Sequence, residues 1–193
     1  MKGTIRALTL PEAKALYRQY IPLDFPPAEV KPWRAIEKRL HKDAYICLGF
    51  GEQDALRGYA FFASMQDQQG ARQYLLDYFA VLSPFRGEGW GSFFLRQMAS
   101  CLPRVHCVLA EVENPDYAKR QADRALQQRR LQFYLRSGAA ETGVESRIYG
   151  VEYRLLELSR VRALTPNEVR ALYSAFYHSF FSPLRYQRKV VIR

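Results

Sequence analysis

The chain is poor in sulfur, in histidine and in uninterrupted apolar sequence, and each shortage argues against a class of function. Three cysteines, Cys47, Cys101 and Cys107, are scattered over 193 residues. An odd number without metal-ligand spacing argues against a disulfide framework and against a thiolate zinc site. All three stand in apolar runs, so buried thiols in a reducing cytosol are the expectation. The three histidines offer no metal cluster either. His41 ends a helix and His106 begins a strand, and both are read as structural; His178 in the tail has no assigned place. No stretch reaches the length of a membrane-spanning helix. Met1-Lys2-Gly3 leads into a mixed strand without the apolar core of a signal peptide. A cytoplasmic protein without membrane attachment is expected. A Walker loop is excluded, because no Gly-Lys-Ser/Thr ending is present.

What the chain has in excess is positive charge, +10 from 29 basic and 19 acidic side chains. Nucleic acid, an anionic surface or a polyanionic cofactor would each account for it. The cations are scattered, with local clusters at Arg129-Arg130 and Arg185-Arg188-Lys189, and no nucleic-acid-binding motif accompanies them. A solvated basic surface is the expectation, with nucleic acid disfavoured as a partner. The length fits one domain with a sizeable core. Its expected extent is residues 1–160, followed by a basic, aromatic helical tail over 161–193, packed on the same domain or partly mobile.

In chain order, Ile5–Leu8 reads as a first strand. Thr9 with Glu12 forms a capping box, and Ala13, Leu16, Tyr17 and Tyr20 line one face of a helix. Ile21–Pro32 holds four prolines and is expected to be a surface loop. Trp33, Ile36 and Leu40 mark a second helix. Ala44–Phe50 and Gly58–Met65 read as strands around a Gly51–Asp54 hairpin turn. Val105–Val112 reads as a buried strand, and a polar stretch over Tyr117–Gln128 precedes a helix that ends at Ser137-Gly138. Ile148–Leu158 reads as one long strand bent at Gly150. Beyond it, Arg162-Ala163-Leu164-Thr165 with Glu168 repeats the pattern Arg6-Ala7-Leu8-Thr9 with Glu12, a second capping box over a second amphipathic helix.

The organising stretch is Gln73–Leu102. Tyr74–Val81 is an apolar, aromatic run suited to a strand buried on both faces. Ser83-Pro84 halts it, Arg86-Gly87-Glu88-Gly89-Trp90-Gly91 follows, and Phe93, Phe94, Leu95, Met98 and Leu102 recur at helical spacing. Strand, glycine turn and helix start in that order make an anion pocket, from inward-curled amides and the positive end of a helix. Ala80-Val81 ahead of Pro84, and then the spacing of Arg86, Gly89 and Gly91, resemble the pyrophosphate motif of the GCN5-related N-acetyltransferase (GNAT) superfamily. Arg130–Ala139, with Tyr134 ahead of a glycine-capped end, is similar to the later helix of that family. The element order from Ile5 to Leu158 also follows the family plan.

The resemblance implies an α+β GNAT fold. Its sheet is mixed and mostly antiparallel, with one parallel pair, the fourth and fifth strands, splayed to hold acyl-CoA, and with helices on both faces. It implies an acetyl-CoA-dependent N-acetyltransferase that moves the acetyl group directly to an amine, without a metal and without a nucleophilic cysteine. A monomer or homodimer is expected. The implied cofactor residues are Phe79, Ala80 and Val81 on the strand edge, then Arg86, Gly87, Glu88, Gly89, Trp90, Gly91 and Ser92. Tyr134 matches the family acid for the departing thiolate. Glu111 and Glu113 share a strand face and are candidate bases with Asp77, beside a water relay. Phe25–Pro32 with Glu29, the helix from Trp33, a loop around Thr142–Ser146 and Tyr149 are expected to shape the acceptor pocket. An acyl-CoA sensor without turnover, or a nucleic-acid module using the basic tail, are the alternatives.

Overall fold

A computed structural model describes residues 3–27, 29–52 and 55–193. Gln53 and Asp54 of the expected hairpin turn therefore lie outside the described residues. Among the described residues eight strands form one sheet in the order β1-β2-β3-β4-β5-β7-β6-β8. The sheet is mixed, with β4 beside β5 as its parallel pair. The chain divides into two compact units, one of residues up to Met65 with Leu76–Pro103, the other of Gln66–Leu75 with Arg104–Arg193.

The first unit carries β1 (Thr4–Ala7), α1 (Leu10–Asp24), α2 (Trp33–Leu40), β2 (Tyr45–Glu52), nearly all of β3 (Ala55–Gln66), the C-terminal half of β4 (Arg72–Val81) and α3 (Trp90–Gln97). β1 and β3 pair antiparallel with β2 on its two sides, with Ile5 opposite Phe50 and Cys47 opposite Phe61. Phe94 from α3 stacks on Phe50 at 4.6 Å and on Phe79 at 5.3 Å, which seats the helix on the sheet. Gly58 is glycine because a Cβ there would lie 2.1 Å from the Phe50 ring and 2.6 Å from the Ala80 carbonyl oxygen.

The expected loop from Ile21 starts later, because α1 runs through Pro22 to Asp24. In a last turn the proline forfeits a single amide. Fully buried Ile21 anchors that turn, and its carbonyl accepts the Phe25 amide at 3.0 Å.

The second unit carries β5 (Val105–Glu113), α4 (Gln121–Arg136), β6 (Ala140–Ile148), β7 (Val151–Arg160), α5 (Pro166–Phe180), α6 (Pro183–Lys189) and β8 (Val190–Ile192). Four sequence expectations change here. The polar stretch after Tyr117 is helical from Gln121 onward. Its residues are good helix formers, Arg120 pairs with Asp123 across the first turn at 2.7 Å, and only Leu131 is buried.

The long strand over Ile148–Leu158 is a hairpin of β6 and β7, turned at Tyr149 (φ 51°) and Gly150 (φ 88°). Two consecutive left-handed residues give the tight turn whose twist matches the flanking strands. Thr142–Ser146, expected as a loop, lies inside β6. A register shift between Glu141 and Glu145, with Gly143 at φ 73°, marks a bulge there. The chain end forms β8, where Val190–Ile192 pairs antiparallel with Ser146–Ile148. Of the thiols, Cys47 and Cys107 are buried as expected and Cys101 is half-buried.

Candidate functional site

The glycine turn belongs to the first unit. Its lead-in is fixed by the Leu82 amide donating to the Arg57 carbonyl at 2.9 Å, followed by one 3-10 turn over Ser83–Phe85. Gly87 and Gly89 both stand at φ 88°, a region where side chains are strained. No atom lies within 4 Å of where a Gly87 Cβ would be, so space is open there. Gly89 caps α3, and the Phe93 amide is bonded to its carbonyl at 2.9 Å. Amides ahead of Phe93 therefore have no acceptor within the helix. These features fit a phosphate group.

The side chains of the turn are less available than its backbone. Arg86 donates through Nε to the Val81 carbonyl at 2.9 Å and through Nη2 to Asp24 Oδ1 at 2.7 Å. The other Asp24 oxygen accepts from Tyr59 at 2.8 Å, and burial foremost, then Asp24, pushes the Tyr59 phenol up. Trp90 is buried with its edge toward Phe93, and its Nε1 donates to Glu88 at 3.3 Å. Gly91 is buried and Ser92 half-buried in the first helical turn. On the strand, Ala80 is buried and Phe79 is held by its stack on Phe94.

Each carboxylate expected as a base has partners of its own. Asp77, also in the first unit, is 7% exposed at its side chain; it pairs with Lys31 and accepts from the Tyr45 hydroxyl. Burial, with the Asp77 charge second, pushes the Tyr45 phenol and the Cys47 thiol well above their ordinary ranges.

In the second unit the shared face of Glu111 and Glu113 carries two separate engagements. Glu111 Oε1 accepts from Tyr173 and, at 2.5 Å, from Tyr177, and Ser146 lies 3.0 Å from the Tyr173 hydroxyl. Glu113 is taken by α4, through Arg130 at 2.6 Å and Gln127 at 3.4 Å. Tyr134 packs against the Val112, Leu131 and Leu156 cluster. Burial raises its phenol to about 12, with the Arg130 charge pulling the other way.

Among the residues expected around an acceptor, the segment after α1 is tied to β4. Tyr78 accepts the Lys31 amide at 2.7 Å and donates to the Glu29 carbonyl at 2.9 Å, with Phe25 set edge-on to its ring at 4.9 Å. Trp33 lies 5.3 Å from Tyr17, whose hydroxyl donates to the Lys31 carbonyl at 2.7 Å. Tyr149 is exposed beneath Arg185 and Lys189 of α6.

Sequence reasoning missed Lys31, Tyr45, Gln127, Arg130, Tyr173 and Tyr177 as partners of these carboxylates, and Ser146 as the partner of Tyr173. Tyr173 and Tyr177 carried a signal, one turn apart on a capped helix; the others carried none. No group of three His, Cys, Asp or Glu side chains placed to hold a metal occurs among the described residues. Nor is any described helix long and apolar enough to cross a membrane.

No family model and no curated protein matches the sequence. Solved structures do match its fold. A protein assigned to the GNAT acetyltransferase family from Bacteroides thetaiotaomicron aligns over 94% of this chain and 98% of its own, with TM-score 0.66 and 15% identity. Another assigned to that family, from Desulfovibrio desulfuricans, aligns over 82% and 100%, with TM-score 0.59 and 21% identity. Spermidine N-acetyltransferase from Vibrio cholerae, in complex with CoA and spermine, aligns over 80% and 94%, with TM-score 0.56 and 10% identity.

Proposed function

We propose that this chain, which has the GNAT fold, is an acetyl-CoA-dependent N-acetyltransferase acting on an amine of a small molecule or peptide. The observation that carries the reading is the glycine turn. Two glycines at φ 88° with open space at Gly87 stand directly ahead of α3, where β4 ends. Amides in that conformation reach phosphate oxygens that a side chain would block. Coenzyme A, when bound, supplies the acetyl thioester.

In this reading the backbone of Gly87–Ser92 holds the diphosphate, and Arg86, Glu88 and Trp90 shape the turn around it. The backbone edge of Phe79, Ala80 and Val81 lines up the pantetheine arm and polarises the carbonyl. Tyr134, kept protonated by its raised pKa, gives its proton to the departing sulfur. The acceptor ammonium loses a proton to Asp77, Glu111 or Glu113, or through water.

The test is thiol release from acetyl-CoA with a panel of primary and secondary amines, run beside Gly89→Glu. That variant puts an anion and a strained side chain into the cradle. It should reduce release to the uncatalysed background; undiminished activity would remove the reading. A second reading is favoured by one observation, that all three carboxylates already have protein partners. It is a non-catalytic acyl-CoA sensor on the same fold. CoA binding by calorimetry without thiol release for any amine would select it.

A further inference from the structure

Arg57 stands near the start of β3, where its carbonyl takes the Leu82 amide. That bond sets it beside the Ser83–Phe85 turn, and its guanidinium carbon lies 3.9 Å from the centre of the Phe85 ring. Contact at this distance is a strong cation–π placement. Yet Nε is shielded from water and has no hydrogen-bond partner, and no carboxylate among the described residues pairs with the group. Arg86, on the other side of Phe85 in sequence, is in the opposite condition. Its Nε and Nη2 are satisfied by Val81 and Asp24. Two arginines thus flank one turn, and among the described residues the Nε of the one from β3 has no acceptor.

A buried guanidinium N–H without an acceptor is destabilising where it stands, and an ion or ligand arriving from outside is a common resolution. The adjacent backbone narrows the ligand to an anion. Gly87 lies two residues beyond Phe85, in the turn whose amides precede α3. A guanidinium edge also matches two oxygens of a phosphate in its own plane, which an ammonium does not.

We infer that Arg57 supplies the side-chain charge of this cradle by taking a phosphate oxygen of coenzyme A, and that Arg86 is a positioning residue tying the turn to α1. The inference rests on the coenzyme A reading given above.

Calorimetric titration of the full chain with CoA, dephospho-CoA and pantetheine separates the two. Arg57→Ala should weaken CoA binding about 10- to 100-fold, the loss of one or two charge-assisted hydrogen bonds. Pantetheine binding should be unchanged. Equal weakening toward dephospho-CoA assigns the contact to the diphosphate; weakening confined to CoA assigns it to the 3′-phosphate. Phe85→Leu, which keeps the charge and removes its ring support, should weaken CoA several-fold. Arg86→Ala should lower the melting temperature and cost less CoA affinity than Arg57→Ala. Should Arg57→Ala not fold, Arg57→Gln carries the same expectation.

CoA binding by Arg57→Ala within twofold of the wild type would overturn the inference and leave the coenzyme A reading standing. A wild type that binds no CoA at all would remove both.

Discussion

Helices α1 and α5 begin in the same way and end in different roles. Thr9 and Thr165 are their caps, each with Pro at the second helical position or the first and glutamate at the third. The amides of Thr9 and Thr165 donate to Glu12 and Glu168 at 2.8 Å in both. Arg6 and Arg162 reach the same glutamate oxygens at 3.1 Å. Eight residues past each cap stands a tyrosine, and there the likeness stops. Tyr17 is half-buried and donates to a backbone carbonyl, that of Lys31. Tyr173 is fully buried and donates to the Glu111 carboxylate, with Ser146 beside it. One local frame thus delivers the same phenol to a neutral loop in one unit and to a half-buried carboxylate in the other. Burial raises both phenols, and Tyr173 rises further because the Glu111 charge adds to burial.

The sharpest way to separate the two is to remove each hydroxyl. Tyr173→Phe takes a donor from a carboxylate and leaves buried Ser146 short of a partner, which should cost about 2–3 kcal/mol. Tyr17→Phe removes a bond to a neutral carbonyl at a partly solvated site, and about 1 kcal/mol is expected. Urea unfolding of the two variants measures the difference. Equal losses would mean that the Glu111 network adds nothing beyond an ordinary hydrogen bond.

The caps should behave as a matched pair where the tyrosines do not. Thr9→Ala and Thr165→Ala each remove one side-chain acceptor from a helix start, at about 1 kcal/mol. Their geometries agree within a tenth of an ångström, with Glu12 and Glu168 amides at 3.4 and 3.3 Å from the threonine oxygens. A loss at one end more than twice that at the other would show that tertiary packing, and not capping, sets the value.

This contrast also explains what could be read from the chain. Capping boxes and the Arg86–Gly91 turn are legible because their partners lie within a few residues, where spacing fixes geometry. Glu111 and its two tyrosines are 62 and 66 positions apart, and Lys31 is 46 from Asp77. No spacing rule reaches that far. The β6–β7 hairpin escaped notice for a different reason. A tight turn of this kind usually starts with Asn, Asp or Gly, and here bulky Tyr149 takes the first left-handed position, with its amide bonded to the Lys189 carbonyl at 2.9 Å. The last strand was hidden by its length, three residues following a basic helix.

The smallest effect belongs to the glutamates and is best seen through pH. Both carboxyls fall from the ordinary 4.5 to about 2, with the arginine hydrogen bond as the largest cause and the threonine bonds after it. A group whose pKa is depressed in the folded state contributes its stability above the unfolded value and loses it as pH falls toward the folded one. Glu12→Gln and Glu168→Gln should therefore be less stable than the wild type at pH 7, by modest and equal amounts, since both pairs are exposed. Each difference should shrink as pH drops through 4.5 and close near 2. Salt should shrink it as well. A gap for Glu168→Gln that survives below pH 2 would mean that α5 depends on the shape of this side chain and not on its charge, and the two helix starts would then differ at the one place where their coordinates agree best.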